Sequence, residues 1–475
     1  MNEKGHPGAG GADDSDGTGR NNNPAVAAAL GVTLVLAALG GLAWLASRSP
    51  EAPAPSLPAE ATAPGAAPGV GVAWAPALAL AEPVLGSAVS VTSNAPDATG
   101  TGTDICGLGH LPEGRRPPAD WIAERARDTV RSRERVQAAL AASADEVTRA
   151  AGLVLRSGGG PPVYDSVVDC TGDQCPAVPE KAESPAAVQA RITANAAPRD
   201  ALARMALVST SPQVYALAWQ TCRSHGAQDT GSACQMLSVE QWARLDGDNA
   251  VPWLELAGRA QARGDSAAVA EAMFRVSKAH TVDFKWGSVA ETVLKQMPAD
   301  VPPLDAMQIT TELLGLESSW QLPAYAVPLA YCKADTLLDS NRLQQCAEIA
   351  DVIATRGRAL ADVSFGTQLG RRVGWSAERV DAVSLERDAM MQALAQKLPP
   401  LSSMLSCGAI QQQTEHVRAV GRVGELAVAR QAMQQSGQSV AELARLHREG
   451  RERLVAQFQP GPAASSAAGA GAVPR

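Results

Sequence analysis

The sequence predicts an all-α domain that follows a single membrane-spanning helix. Residues 25–46 contain no charged side chain, and the chain after residue 104 is rich in Ala, Leu, Gln, Glu and Arg. These residue types favour helices, and apolar positions in this region recur at the spacing of an amphipathic helix. Aromatic residues make up only 4% of the chain, which leaves few of the large side chains that are enriched in strands.

The N-terminal region divides into a polar tail and an apolar run. Residues 1–23 carry almost no apolar side chains, so they are expected to form a disordered tail. Residues 24–46 form a helix of ~33 Å if they are helical throughout, which is long enough to cross a bilayer. A cleaved signal peptide and a buried core helix are the alternatives, although the run is longer than the usual apolar core of a signal peptide.

The distribution of basic residues predicts the orientation of this span. Lys4 and Arg20 precede it, whereas Arg48 is the only basic residue close behind it. Basic residues favour the cytoplasmic side, so the N-terminus is expected in the cytoplasm and the rest of the chain outside. Small residues spaced by four permit close helix packing and hence self-association of the span: Ala27 with Gly31, and Ala37 with Gly41.

Composition separates a spacer, a body and a second tail. Residues 47–104 contain repeated prolines among Ala and Gly, which predicts a semi-extended linker. Residues 105–458 are long enough to bury a substantial core, and residues 459–475 form a low-complexity tail. The net charge of −8 argues against nucleic acid as a partner.

Eight cysteines all lie after the predicted span, which favours disulfides in an oxidising compartment. Proximity in sequence suggests three local pairs and leaves two residues that would join the ends of the domain. These expected pairs are Cys170 with Cys175, Cys222 with Cys234, Cys332 with Cys346, and Cys106 with Cys407. Buried free thiols and a metal site are the alternatives, but only one pair is closely spaced and no histidine accompanies it.

Apolar spacing and breakers divide the body into helices. Residues 119–157 read as one long amphipathic helix, and residues 401–435 as another. Residues 184–195 and 198–208 read as two helices separated near Pro198. Residues 162–183 have the least helical character and are expected to form a hairpin or an ordered loop.

One segment has a sharper pattern. In residues 248–279 an aromatic residue, a Leu-small pair, a Gly-Asp turn and a second run of small and medium apolar residues follow in order. The positions that carry the pattern are Trp253, Leu256, Ala257, Gly264, Asp265, Val269, Met273 and Val276. This segment resembles one tetratricopeptide repeat.

The resemblance implies a degenerate, disulfide-bonded α-solenoid of helical hairpins, similar to the helical-repeat proteins of the Gram-negative envelope. Flanking segments lack the repeat pattern, so a non-repeating all-helical domain is the alternative. With the predicted span, this implies a bacterial inner-membrane protein whose body lies in the periplasm.

The sequence contains none of the phosphate-binding, dinucleotide-binding, zinc-protease or nucleophile-elbow motifs that we sought. It therefore nominates no catalytic, cofactor-binding or metal-binding residue. The leading functional expectation is a membrane-anchored scaffold that binds other envelope proteins. An enzyme or small-ligand binder with a site between helices, and a structural or sensing component of the envelope, are the alternatives.

Overall fold

The computed structural model describes residues 102–112, 115, 117–158, 185–224 and 232–458. The predicted tails and span, most of the linker, and the pair Cys170 and Cys175 lie outside these ranges. None of the helices that are described is both long and apolar enough to cross a membrane.

Helices packed in pairs make up most of the described chain, as the sequence predicts. A β-hairpin precedes them, formed by β1 (Gly102–Ile105) and β2 (Gly109–Pro112) in antiparallel register. The α-helices are α1 (Ala119–Ala141), α2 (Glu146–Ser157), α3 (Pro185–Val208), α4 (Pro212–Ser224), α5 (Val239–Leu245), α6 (Ala250–Ala262), α7 (Ser266–Lys278), α8 (Ser288–Lys295), α9 (Pro303–Ser318), α10 (Ala326–Tyr331), α11 (Ser340–Arg356), α12 (Leu360–Arg372), α13 (Ala377–Ala395), α14 (Cys407–Val423), α15 (Glu425–Gln435) and α16 (Val440–Phe458). Short 3-10 helices span Ala233–Met236, Thr336–Leu338 and Leu401–Ser403.

Two predicted helices are each divided in the structure. The segment 119–157 is interrupted before Glu146 because the Asp145 carboxylate accepts the backbone N–H of Thr148 at 2.8 Å and starts a new helix. The segment 401–435 is interrupted at Gly424, whose φ of 89° lies outside the helical region. A side-chain cap and a glycine turn therefore set boundaries that apolar spacing alone does not reveal.

At Pro198 the structure joins two predicted helices into one. Proline usually kinks or ends a helix because it lacks an N–H donor, and the sequence predicts two helices there. The structure instead has the single helix α3, which packs against both α2 and α4. Tertiary packing along the helix outweighs the local preference for a break.

Two hydrophobic clusters form the interior. The larger cluster runs from α1 to α12 and includes Trp242, Leu254 and Met273, while α14 contributes Val417. The smaller cluster joins α12 to α16 and includes Met390 and Leu443. Trp286 contacts both clusters, so the segment between α7 and α8 lies where they meet.

Candidate functional site

The repeat-like segment forms one helix pair, α6 and α7, with the predicted turn between them. Gly264 has a φ of 72°, and the Asp265 carboxylate accepts the Ala268 N–H at 3.0 Å to cap α7. Ala257, Met273 and Val276 are fully buried. Trp253, Leu256 and Val269 are partly buried against the larger hydrophobic cluster. The pattern residues therefore build the hairpin and its packing.

Part of the surface of α6 is covered by the segment that contains Ala324 and α10. Gly258 lies against Ala324, with only 3.1 Å between the position of an added Cβ and the Ala324 methyl carbon. Helix α10 packs over the same helix. The hairpin therefore does not offer the surface around Gly258 to a peptide.

Three of the expected disulfides are present. Cys222–Cys234 and Cys332–Cys346 close short loops, and Cys106–Cys407 joins residues 301 positions apart. No cysteine of the described ranges is free. Three disulfides in one chain indicate an oxidising, extracytoplasmic compartment.

A surface groove of about 610 Å³ lies between α1 and the start of α9. Ser132 lines the groove and donates a hydrogen bond at 2.7 Å to the buried Asp305 of α9, which also accepts the Thr129 hydroxyl at 3.0 Å. Its walls are lined by Asp128, Arg131, Glu134, Arg135, Ala138 and Pro302. The groove is therefore an open surface feature, and α1 is hydrogen-bonded to α9 beside it.

The charged side chains of the groove remain accessible. Arg131 is 64% exposed and pairs with Asp128, while Arg135 is 44% exposed and pairs with Asp300. Val130 is also 44% exposed on the same helix. Each guanidinium has five N–H donors, so one carboxylate leaves donors available to another protein.

A second polar cluster, whose carboxyl groups are buried, lies where the two hydrophobic clusters meet. Arg358, in the link between α11 and α12, contacts the Asp283 carboxylate at 2.7 Å, and Lys285 contacts it at 3.1 Å. Burial alone would raise the pKa of Asp283, but these two positive charges hold it below its ordinary value. Asp283 is therefore an ionised, paired carboxylate inside the protein.

Two further carboxyl groups lie at the start of α12. Asp362 accepts the N–H groups of Arg358 and Ala359, each at 2.9 Å, and the hydroxyl of Tyr325. Glu425 accepts the Leu360 N–H at 2.8 Å. Burial raises the pKa of Asp362 to about 6 and that of Glu425 to about 7.

A cavity of about 20 Å³ lies beside these groups, bounded by Asp283, Trp286, Arg358 and Glu425. This volume holds about one water molecule. Small-molecule sites occupy roughly 300–1,000 Å³. The cluster is therefore suited to holding helices together and binding protons rather than to binding a metabolite.

Glu317 of α9 is a separate buried acid. It accepts the N–H of Val289 at 2.9 Å at the start of α8, and burial raises its pKa to about 8. The folded protein thus keeps a proton that the unfolded chain releases above about pH 4.5. The contribution of Glu317 to the free energy of unfolding therefore decreases as pH rises from 4.5 to 8.

We expect Glu317→Gln to reduce this decrease by about 1 kcal/mol per pH unit between pH 6 and 7.5. Urea unfolding across this range measures it, with the exposed Glu240→Gln as the control. An unchanged pH slope in Glu317→Gln would contradict the assignment of the proton to this side chain.

Sequence reasoning did not identify this polar cluster. Asp283, Arg358 and Glu425 are separated by more than sixty residues from one another and belong to no common motif.

The described residues contain no group of three or more His, Cys, Asp or Glu side chains arranged to hold a metal. Comparison with protein-family models, curated proteins and solved structures finds no match.

Proposed function

We propose that this protein is an interaction scaffold held at the outer face of a bacterial inner membrane, and that partner proteins dock at the groove on α1. The observation that carries the proposal is the groove itself. It combines the exposed side chains of Arg131 and Arg135 with the apolar Ala138 and Pro302. Ser132, which also lines it, donates a hydrogen bond to the buried Asp305. Exposed arginine beside apolar surface is typical of protein interfaces.

The position in the cell is part of the proposal. The three disulfides favour an oxidising compartment, and the apolar run at residues 24–46 is the expected anchor. The proline-rich residues 47–104 would then separate the domain from the bilayer.

The proposed architecture is a degenerate solenoid similar to tetratricopeptide proteins. Helices α6 and α7 form one hairpin, α11 and α12 form another, and α7 packs against α11. The chain between the two hairpins, residues 279–339, carries α8, α9 and α10. Helical solenoids present extended binding surfaces, which supports a scaffold function.

The test is charge reversal on the groove. We expect the double variant Arg131→Glu and Arg135→Glu to recover at least fivefold less crosslinked envelope protein from intact cells than the unmodified chain. Exposed ion pairs contribute only about 0–1 kcal/mol each, so the variant should fold normally. Crosslinking followed by affinity capture and mass spectrometry measures the effect.

A matched control is available on other faces. Arg275 and Arg445 are 53% and 51% exposed and pair with Glu271 and Glu442 in the same manner. Replacing both arginines with glutamate should leave the amount of crosslinked envelope protein unchanged. Equal capture by the groove variant and the control variant would reject the groove as the docking surface. Deleting residues 248–279 is unsuited to this test because Leu254 and Met273 are fully buried in the larger cluster.

A further inference from the structure

The corner between α14 and α15 is fastened to the start of α12 by three hydrogen bonds. Leu426 donates its N–H to the Arg358 carbonyl at 3.0 Å, and Arg358 donates from its guanidinium to the Arg422 carbonyl at 3.0 Å. The Glu425 carboxyl accepts the Leu360 N–H at 2.8 Å. The chain turns at Gly424, where an added Cβ would lie 3.0 Å from the Arg358 Cβ. This contact therefore depends on close approach of the two segments.

The charges around this corner are distributed unequally. The cations Arg358 and Lys285 both pair with Asp283. Asp362 accepts hydrogen bonds from Tyr325 and from two backbone N–H groups. Glu425 accepts one backbone N–H and forms no ion pair with any described residue. It is 5% exposed, so its ionised form would be a buried charge without a counterion.

We propose that this corner is a proton-controlled latch, in which the protonated Glu425 carboxyl fastens α15 to α12 and its ionised form releases α15 towards water. Loss of the proton places a second negative charge near Asp362 on a buried side chain. Moving the Glu425 side chain into water relieves both the repulsion and the desolvation. Burial and the nearby Asp362 raise the pKa of Glu425 to about 7, which agrees with this geometry.

Release at Glu425 would loosen a defined part of the fold. Helix α15 contacts α13 and α14, and α16 packs on α13. The larger cluster holds α6 through other residues, including Leu254 and Ala257. Opening at the corner should therefore be local, with α6 unaffected.

Hydrogen–deuterium exchange of the full chain tests the latch. Protection factors, corrected for the intrinsic pH dependence of exchange, are compared at pH 6 and pH 8 for peptides that cover 358–362 and 424–428. Because Glu425 titrates near pH 7, each further pH unit above 7 should lower the protection factors of the corner peptides about tenfold. Peptides from α6 serve as the internal reference and should keep their protection.

Glu425→Gln supplies the decisive comparison, because the amide oxygen still accepts the Leu360 N–H but cannot ionise. We expect this variant to keep full protection of the corner at pH 8. Glu271→Gln, at an exposed position of α7 that pairs with Arg275 of the same helix, is the control and should behave like the unmodified chain. Loss of protection at pH 8 in Glu425→Gln would overturn the proposal. If that variant does not fold, a flat pH profile at the corner of the unmodified chain would overturn it equally.

Discussion

Replacing both cysteines of the Cys106–Cys407 pair with alanine is expected to lower the free energy of unfolding by about 5 kcal/mol. The disulfide closes a loop of 301 residues. A crosslink reduces the conformational entropy of the unfolded chain, and the loss grows with the logarithm of loop length. Urea unfolding of the purified domain under oxidising conditions measures the effect.

The two short-loop disulfides provide the comparison. Cys222–Cys234 and Cys332–Cys346 close loops of 12 and 14 residues, so removal of either is expected to cost only about 3 kcal/mol. Cys332 and Cys346 are fully buried, so alanine is preferred to serine to avoid burying an unpaired hydroxyl. If a short-loop variant proves less stable than the Cys106–Cys407 variant, loop entropy does not determine the relative stabilities of the three variants.

The second large effect is expected at Gly366, where α12 crosses α11. A Cβ added at this position would lie 2.4 Å from the backbone nitrogen of Ala354 and 2.6 Å from its Cα. Because the clash involves backbone, a rotamer change cannot relieve it and the two helices must separate. We expect Gly366→Ala to lower the free energy of unfolding by about 3 kcal/mol, as measured by thermal and urea unfolding.

Gly315 in α9 is a matched control for this substitution. An added Cβ at Gly315 meets no atom within 4 Å. Alanine there should therefore stabilise the helix by about 0.5–1 kcal/mol, since it restricts the unfolded chain. Destabilisation by both substitutions to the same extent would show that the close approach at Gly366 is not the cause.

Local sequence signals predicted the features whose partners lie close in the chain. The Gly264-Asp265 turn combines a residue suited to positive φ with a capping carboxylate, and the structure places both as expected. Cys222 and Cys234 flank a polar segment between two helical runs, and they form a disulfide. In each case neighbouring residues determine the local geometry.

The Cys106–Cys407 pair was predicted although its members are 301 residues apart, but other features that depend on distant residues were missed or misjudged. Pro198 lies inside a continuous helix because α2 and α4 pack against α3, and no signal near Pro198 indicates those partners. The polar cluster of Asp283, Arg358 and Glu425 depends on three segments that meet only after folding. The groove on α1 likewise requires the start of α9, more than 150 residues away. In the sequence alone, the charged residues of the polar cluster and of the groove cannot be distinguished from ordinary charged residues of helices.

The Cys106–Cys407 bond also determines how the domain responds to mechanical load. Tension applied through the chain before residue 102 passes along β1 to Cys106 and then directly through the sulfur atoms to the first residue of α14. Helices α1 to α13 lie within the closed loop, so a pull between residue 102 and α16 bypasses them. Stretching can therefore unfold only the segment 407–458 on the C-terminal side of the disulfide. The groove on α1 lies within the closed loop and does not carry the applied force.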